Sequence, residues 1–308
     1  MGFRFEEGDA DLAAGMRRIA VEEVARAEAE LADASLPPQR KIHQARKRTK
    51  RLRGLLRLVR PAFPDYAAEA AHLREASRGL SALRDRDVMI ATHDSLMAAT
   101  GADRRRYAAV RAHLTRARNR VAAEADPEAA LSTYMAEMRA IAERAGGWRL
   151  EGKDKPALEA GLARTWTRAR KALKAARKQD DIEHLHDWRK RVKDHWYQAR
   201  LLSPIDPDAL KVQAQAAGDL GELLGDIHDL DVYRAHLGGP EASGLDPARR
   251  EELSALATDR IAALEREAFA LGKRLFSPRA EDLAADWAAK WKAWRKAAGR
   301  AAKTSRAD

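Results

Sequence analysis

Apolar residues, mostly leucine and alanine, recur three and four positions apart along almost the whole chain, with arginine, lysine and glutamate between them. That period predicts amphipathic helices. β-Branched residues are sparse and strong helix formers dominate, so the expected fold class is all-α. Prolines and Asp-Pro pairs cut the pattern into pieces of helix length. Asp9 is expected to cap a first helix reaching Ala34, closed by Pro37-Pro38. A second covers Gln39 to Arg60 and is closed by Pro61 and Pro64. A third starts near Asp65 and passes through Arg84-Asp85-Arg86-Asp87 to Ala99. A fourth covers 103–125, and Asp126-Pro127 opens a fifth that stops near Gly146-Gly147. Proline at the first helical position forfeits no needed N–H, which makes Asp-Pro a good start signal.

The order then repeats. Pro156 opens a helix through Arg177, the next ends at Ser203-Pro204, and a long one starts near Asp208. Asp246-Pro247 and Ser277-Pro278 open the last two. The repeat is sharpest in the second helix of each set. His43 to Lys50 and His186 to Lys193 both read H-x-x-R-K-R-x-K, with the copies 143 residues apart (43 to 186). Pro61 lies over Pro204 in the same register, Leu12 to Met16 over Leu158 to Leu162, and Leu83 to Val88 over Ile227 to Val232. A repeat this large predicts two four-helix-bundle-like halves related by a pseudo-twofold axis, 1–150 and 151–308, with the boundary between Gly146 and Lys155. The second half carries the final helix and a basic tail.

On a helical wheel of residues 39–60, His43, Lys47, Lys50 and Arg57 form one stripe, with Arg46 and Arg53 beside it. Ala45, Thr49, Leu52, Leu56 and Val59 fall on the opposite face. In the second copy His186, Lys190, Lys193 and Arg200 repeat the stripe, Arg189 stands beside it, and Tyr197 takes the place of Gly54. No acid lies between Gln39 and Arg60, although a helix that is merely solvated usually mixes signs. Like charges held together cost stability, and a polyanion would relieve that cost. The preceding helices add Arg17, Arg18 and Arg26 in the first half and Arg164, Arg168, Arg170, Lys171 and Lys174 in the second.

Composition agrees. The chain of 308 residues has 58 Lys+Arg against 47 Asp+Glu, a formal charge of +11, which favours acidic partners. It has no cysteine, so thiolate metal sites and disulfides are excluded. The N-terminal residues lack the apolar run of a signal peptide, and no stretch approaches the roughly 20 apolar residues of a membrane span; the expected location is the cytoplasm. The repeated pairs Asp85/Asp87 and Asp229/Asp231 could hold a hard cation, but pairing with nearby arginines is the favoured reading, and no metal or cofactor is expected. His43 and His186 lack a nucleophile arrangement around them; an imidazolium donating to an anion fits better than a general base. Trp287, Trp291 and Trp294, spaced i, i+4, i+7, read as core.

These residues resemble the CHAD family, the conserved-histidine α-helical domain. The resemblance runs from Phe3-Arg4-Phe5 to about Trp294. Its most specific parts are His43 with Lys50-Arg51, Leu83 to Val88, and their second-half counterparts. It implies an all-helical duplicated fold that binds inorganic polyphosphate on a central basic surface, and association with polyphosphate granules. It carries His43, Arg46, Lys47, Lys50 and Arg51 onto the first motif and His186, Arg189, Lys190 and Lys193 onto the second. The second copy departs at Asp194, where the first has Arg51. Some members carry a triphosphate tunnel domain with an E-x-E-x-K strand. Here Glu28-Ala29-Glu30 continues as Leu31-Ala32 within a helix, so the expectation is a standalone, non-catalytic binding protein. The main alternative is a non-specific nucleic-acid binder. Single-strand binders interleave aromatics with cations, whereas the first basic helix has none. An enzyme on phosphate polymers would need a constellation the sequence does not offer, and for an anionic membrane surface the apolar face is already needed by the bundle.

Overall fold

The computed structural model describes residues 2–80, 85–124, 126–179 and 181–304, and their regular structure is all helical, with no strand among them. The helices are α1 (Leu12–Ala32), α2 (Pro38–Val59), α3 (Tyr66–Arg78), α4 (Asp85–Thr100), α5 (Ala108–Glu124), α6 (Pro127–Ala145), α7 (Asp154–Gln179), α8 (Ile182–Leu201), α9 (Pro207–Gly238), α10 (Pro247–Leu275) and α11 (Ala280–Thr304). None of them is long and apolar enough to cross a membrane, among the described residues.

Local chemistry sets most of the starts. Asp126 and Asp246 accept from the backbone N–H of Ala129 and Ala248, with a proline next in each case, as the sequence predicts. Asp206-Pro207 is a third such start: Asp206 caps Ala209, so α9 begins at Pro207 rather than Asp208. The first helix is a correction. Asp11, not Asp9, is its cap and accepts from Ala14 N–H at 2.6 Å. Asp9 is buried and takes the N–H of Glu6 at 2.8 Å and the Arg18 guanidinium at 2.7 Å. Pro38 is the first residue of α2, so Pro37-Pro38 opens that helix as well as closing α1. The expected third helix, 65–99, is replaced by α3 and α4. Of the motif between them, Leu83 and Arg84 lie outside the described residues. The fourth starts later than expected, because Asp103 turns the chain by accepting from Arg105 N–H at 2.9 Å.

One group of helices consists of α1, α2, α3 and α6; a second consists of α7 to α11. The expected boundary falls between α6 and α7, but α4 crosses it and packs against α5, α9 and α10. His93 Nδ1 lies 2.8 Å from the Tyr233 hydroxyl, and Arg106 pairs with Glu252, which fixes that crossing. Trp287 and Trp291 are core residues, Trp291 edge-on to Phe5 at 5.0 Å.

The two groups meet along α2, which lies against both α7 and α8. Its apolar face, Ala45, Thr49, Leu52, Leu56 and Val59, is buried as the wheel predicts, and Tyr134 donates to the Ala45 carbonyl at 2.9 Å. Each large apolar side chain buried there contributes about 1.5–3 kcal/mol. Two glycines permit the approach. A Cβ on Gly161 of α7 would sit 1.6 Å from the Leu58 carbonyl oxygen of α2, and one on Gly54 would sit 2.7 Å from Tyr197 Cβ of α8.

Gly161→Ala is therefore expected to destabilise the protein by about 3 kcal/mol or more, because backbone overlap outweighs the roughly 1 kcal/mol that alanine gains in a helix. Gly244→Ala, in open space, is the control and should stay within about 0.5 kcal/mol. Equal denaturation midpoints for the two variants would contradict the close α2–α7 contact.

Candidate functional site

Gly54 and Tyr197 occupy the same position of the repeat, and they touch. The two basic helices thus cross at equivalent points, with cations from each reaching the other. Two carboxylates buried under them decide which of those cations are neutralised.

The first is Glu23 of α1, fully buried. It bonds Arg26 at 2.7 Å, Arg48 at 2.9 Å and Arg51 at 3.1 Å. Arg48 also pairs with Glu30. The central arginine of the first H-x-x-R-K-R-x-K motif is therefore structural, and the wheel shows why: it lies toward the apolar face beside Ala45 and Leu52. The second is Asp194 of α8, buried between Arg57 of α2 and Arg191 of its own helix. Arg191 also bonds Asp187 at 2.8 Å, so the second motif's central arginine is likewise held internally. By sequence, Asp194 is only a weakening of the second motif. In the structure it closes one side of the crossing.

The other side differs. The repeat equivalents of Arg57 and Asp194 are Arg200 and Arg51. Where the first pair is a salt bridge, the second is two like charges. Burial, and then the charge of Arg51, lower the proton affinity of Arg200. Burial, then Arg51, Arg48 and Arg200, hold the Lys47 ammonium below the usual lysine range. Tyr197 stands among these cations; burial pushes its phenol up to about 12, against the pull of Arg51, Arg200 and Arg189. Lys193 lies 3.7 Å from the centre of the Trp196 ring, Arg200 4.6 Å from the same ring, and burial with the charge of Arg189 brings the Lys193 ammonium down to about 8. Among the described residues, no carboxylate forms an ion pair with Lys47, Lys193 or Arg200.

The remaining sequence candidates divide between places. His43 and Lys50 are exposed on α2, and Arg46 is half-buried beside them. Lys190 is exposed on α8 and Arg189 half-buried next to α9, close to Gly225. Arg53 lies toward Arg57 and Asp194, where burial and then Arg57 lower its proton affinity. Arg168 of α7 joins the same side: burial, Arg191, Arg60 and Arg164 depress it while Asp194 supports it. Arg18 is not part of either side. Asp9, Glu22 and Glu6 lie 2.7, 2.9 and 3.7 Å from its guanidinium, so its charge is neutralised within the N-terminal segment. Lys171 faces a groove formed with α10 and α11, away from the crossing.

His186 is held neutral in the free protein. It is half-buried against His228, ring centres 4.4 Å apart, and its Nδ1 has no hydrogen-bond partner among the described residues. Burial, His228 and Lys190 push its pKa down to about 4, so the ring is neutral near pH 7. Asp231 lies 3.7 Å from Arg234, the side chains of Asp85 and Asp87 lie outside the described residues, and among the described residues no group of three His, Cys, Asp or Glu is arranged to hold a metal.

Comparison with known proteins places the chain. No curated protein matches it. Among solved structures, the CHAD domain from the plant Ricinus communis superposes with a TM-score of 0.65 at 19% identity, over 91% of this chain and 98% of that one. At that identity the likeness is one of fold. The CHAD domain family profile matches residues 17–238, a span that contains both basic helices, α7, α9 and most of α1. The chain belongs to the CHAD domain family.

Proposed function

We propose that the protein binds inorganic polyphosphate at the α2–α8 crossing, on the side of Arg51 and Arg200, as a binding module rather than an enzyme. The observation that carries this reading is the unequal treatment of equivalent positions. Arg57 has Asp194; Arg200 has Arg51. Glu23 pairs with Arg51, but no carboxylate forms an ion pair with Arg200, Lys47 or Lys193 among the described residues, and that uncompensated charge is what an external anion would meet. Lys47, Arg51, Arg200, Lys193 and Arg189 supply the charge, and His43 and Lys50 extend it along α2. A linear chain of phosphates presents anionic oxygens at short, regular intervals and suits cations spaced one helical turn apart. His186, neutral, can donate one hydrogen bond but adds no charge. The same surface would bring the protein to polyphosphate granules.

Polyphosphate is favoured over single-stranded nucleic acid because the aromatic nearest the cations is already engaged. Trp196 is partly buried, with Lys193 and Arg200 both against its ring, so it offers little of the open face that base stacking needs.

Two outcomes follow. Lys47→Gln with Arg200→Gln should weaken polyphosphate binding more than about tenfold and reduce the log–log salt slope by about 2, with melting unchanged by more than a few degrees. Of the single changes, Lys47→Gln should cost more than its repeat equivalent Lys190→Gln, which should stay under about threefold. Equal losses would mean a symmetric site and overturn the proposed side. The second outcome concerns pH. Anion binding favours charged Lys193, whose pKa near 8 lies below the ordinary value, so the complex takes up a proton above that pH. Affinity should be nearly flat from pH 6 to 7.5 and fall from 7.5 to 9.5, and Lys193→Met should remove most of that fall. A rise confined to pH 8 to 6 would instead assign the titration to histidine.

A further inference from the structure

A second cationic feature lies outside the crossing. The C-terminal half of α7 and the junction of α10 with α11 enclose an open groove of about 810 Å³. Arg170, Lys171, Lys174, Arg177, Lys178 and Lys273 line it, all exposed. Glu281 is the one acid of the lining. Between the cations lie Leu173, Phe276 and Ala280, with Phe276 packed edge-on against Trp166 at 4.8 Å. Among the described residues, none of the six cations forms an ion pair with a carboxylate.

Ordinary helix electrostatics explain only part of this. Arg177 and Lys178 stand in the last turn of α7 and Lys273 in the last turn of α10, where cations complement the helix dipole. Arg170, Lys171 and Lys174 lie a turn or more earlier, beyond the reach of that effect. Nor does the groove simply extend the polyphosphate surface. A naked polyanion gains nothing from an apolar floor, and the side of the crossing toward α7 is the one closed by Asp194.

We infer that this groove docks an acidic amphipathic helix of a partner protein, with leucine-type side chains on the floor and carboxylates along the α7 rim. From Arg170 to Lys178 the rim runs about 12 Å at 1.5 Å per residue. That is about two turns of a partner helix, whose i, i+4 carboxylates repeat at nearly the spacing of the α7 cations. The open, one-sided shape suits a helix laid along it better than a small anion, which needs enclosure for most of its surface. This docking is independent of the polyphosphate reading and uses different residues.

The test titrates the full-length protein with a fluorescein-labelled four-turn helical peptide, leucine at every third or fourth position and glutamate elsewhere, read by anisotropy at about 0.15 M salt. The expected result is saturable binding that Lys174→Glu with Arg177→Glu weakens at least about tenfold, and that Lys47→Gln with Arg200→Gln leaves within about threefold. Replacing the leucines by serine, or the glutamates by glutamine, should each weaken binding at least about tenfold. Absence of binding, equal binding of polyglutamate of the same length, or displacement governed by the crossing variant would overturn the proposal. Loss of polyphosphate binding by the crossing variant is scored separately, so either reading can fail without the other.

Discussion

The structure depends on holding two like-charged helices in contact. Gly54 against Tyr197 brings α2 and α8 as close as side chains allow, and α2 contributes no acid to relieve the repulsion. The relief comes from two buried carboxylates. Glu23, delivered by α1, takes Arg26, Arg48 and Arg51; Asp194, delivered by α8 itself, takes Arg57 and Arg191. A buried carboxylate left unpaired is expensive, and so is a buried guanidinium, so each network holds only if its members stay together. The price of that arrangement is that the central arginine of each motif, Arg48 and Arg191, is structural.

What remains for a ligand is what the networks leave incompletely balanced. Arg51 has a carboxylate but faces Arg200. Lys47 and Lys193 are held below their ordinary proton affinity by burial and by neighbouring cations. Groups in that condition gain more from an approaching anion than solvated lysines would, because the anion both supplies the missing counter-charge and restores the favoured protonation state. Stability of the free protein is thereby traded for readiness to bind, a pattern expected at functional sites.

Much of this was legible in the chain. The wheel of α2 separates Ala45, Thr49, Leu52, Leu56 and Val59 from the cations, and the structure buries that set. The same wheel places Arg48 toward the core, a signal that the motif's central arginine is not a ligand residue. The exchange of Arg51 for Asp194 is visible in the alignment of the two copies, but its meaning depends on which residues meet across the crossing. Local sequence does not carry that. Arg18 looked available because its partners Asp9 and Glu6 belong to a segment with no helical pattern. His186 looked chargeable because His228 lies on α9, remote in sequence. In each case periodicity specified the element, and tertiary contact decided the charge state.

The most direct test of the account is competition at the crossing. Labelled polyphosphate of medium chain length would be bound to the protein at about physiological salt and challenged with excess single-stranded and double-stranded DNA, counted per phosphate. The account predicts that neither DNA displaces the polyphosphate at a hundredfold excess, because the cations between α2 and α8 face a narrow chain and offer no stacking surface. Displacement by either DNA near equivalence would contradict it and make the crossing a general polyanion surface.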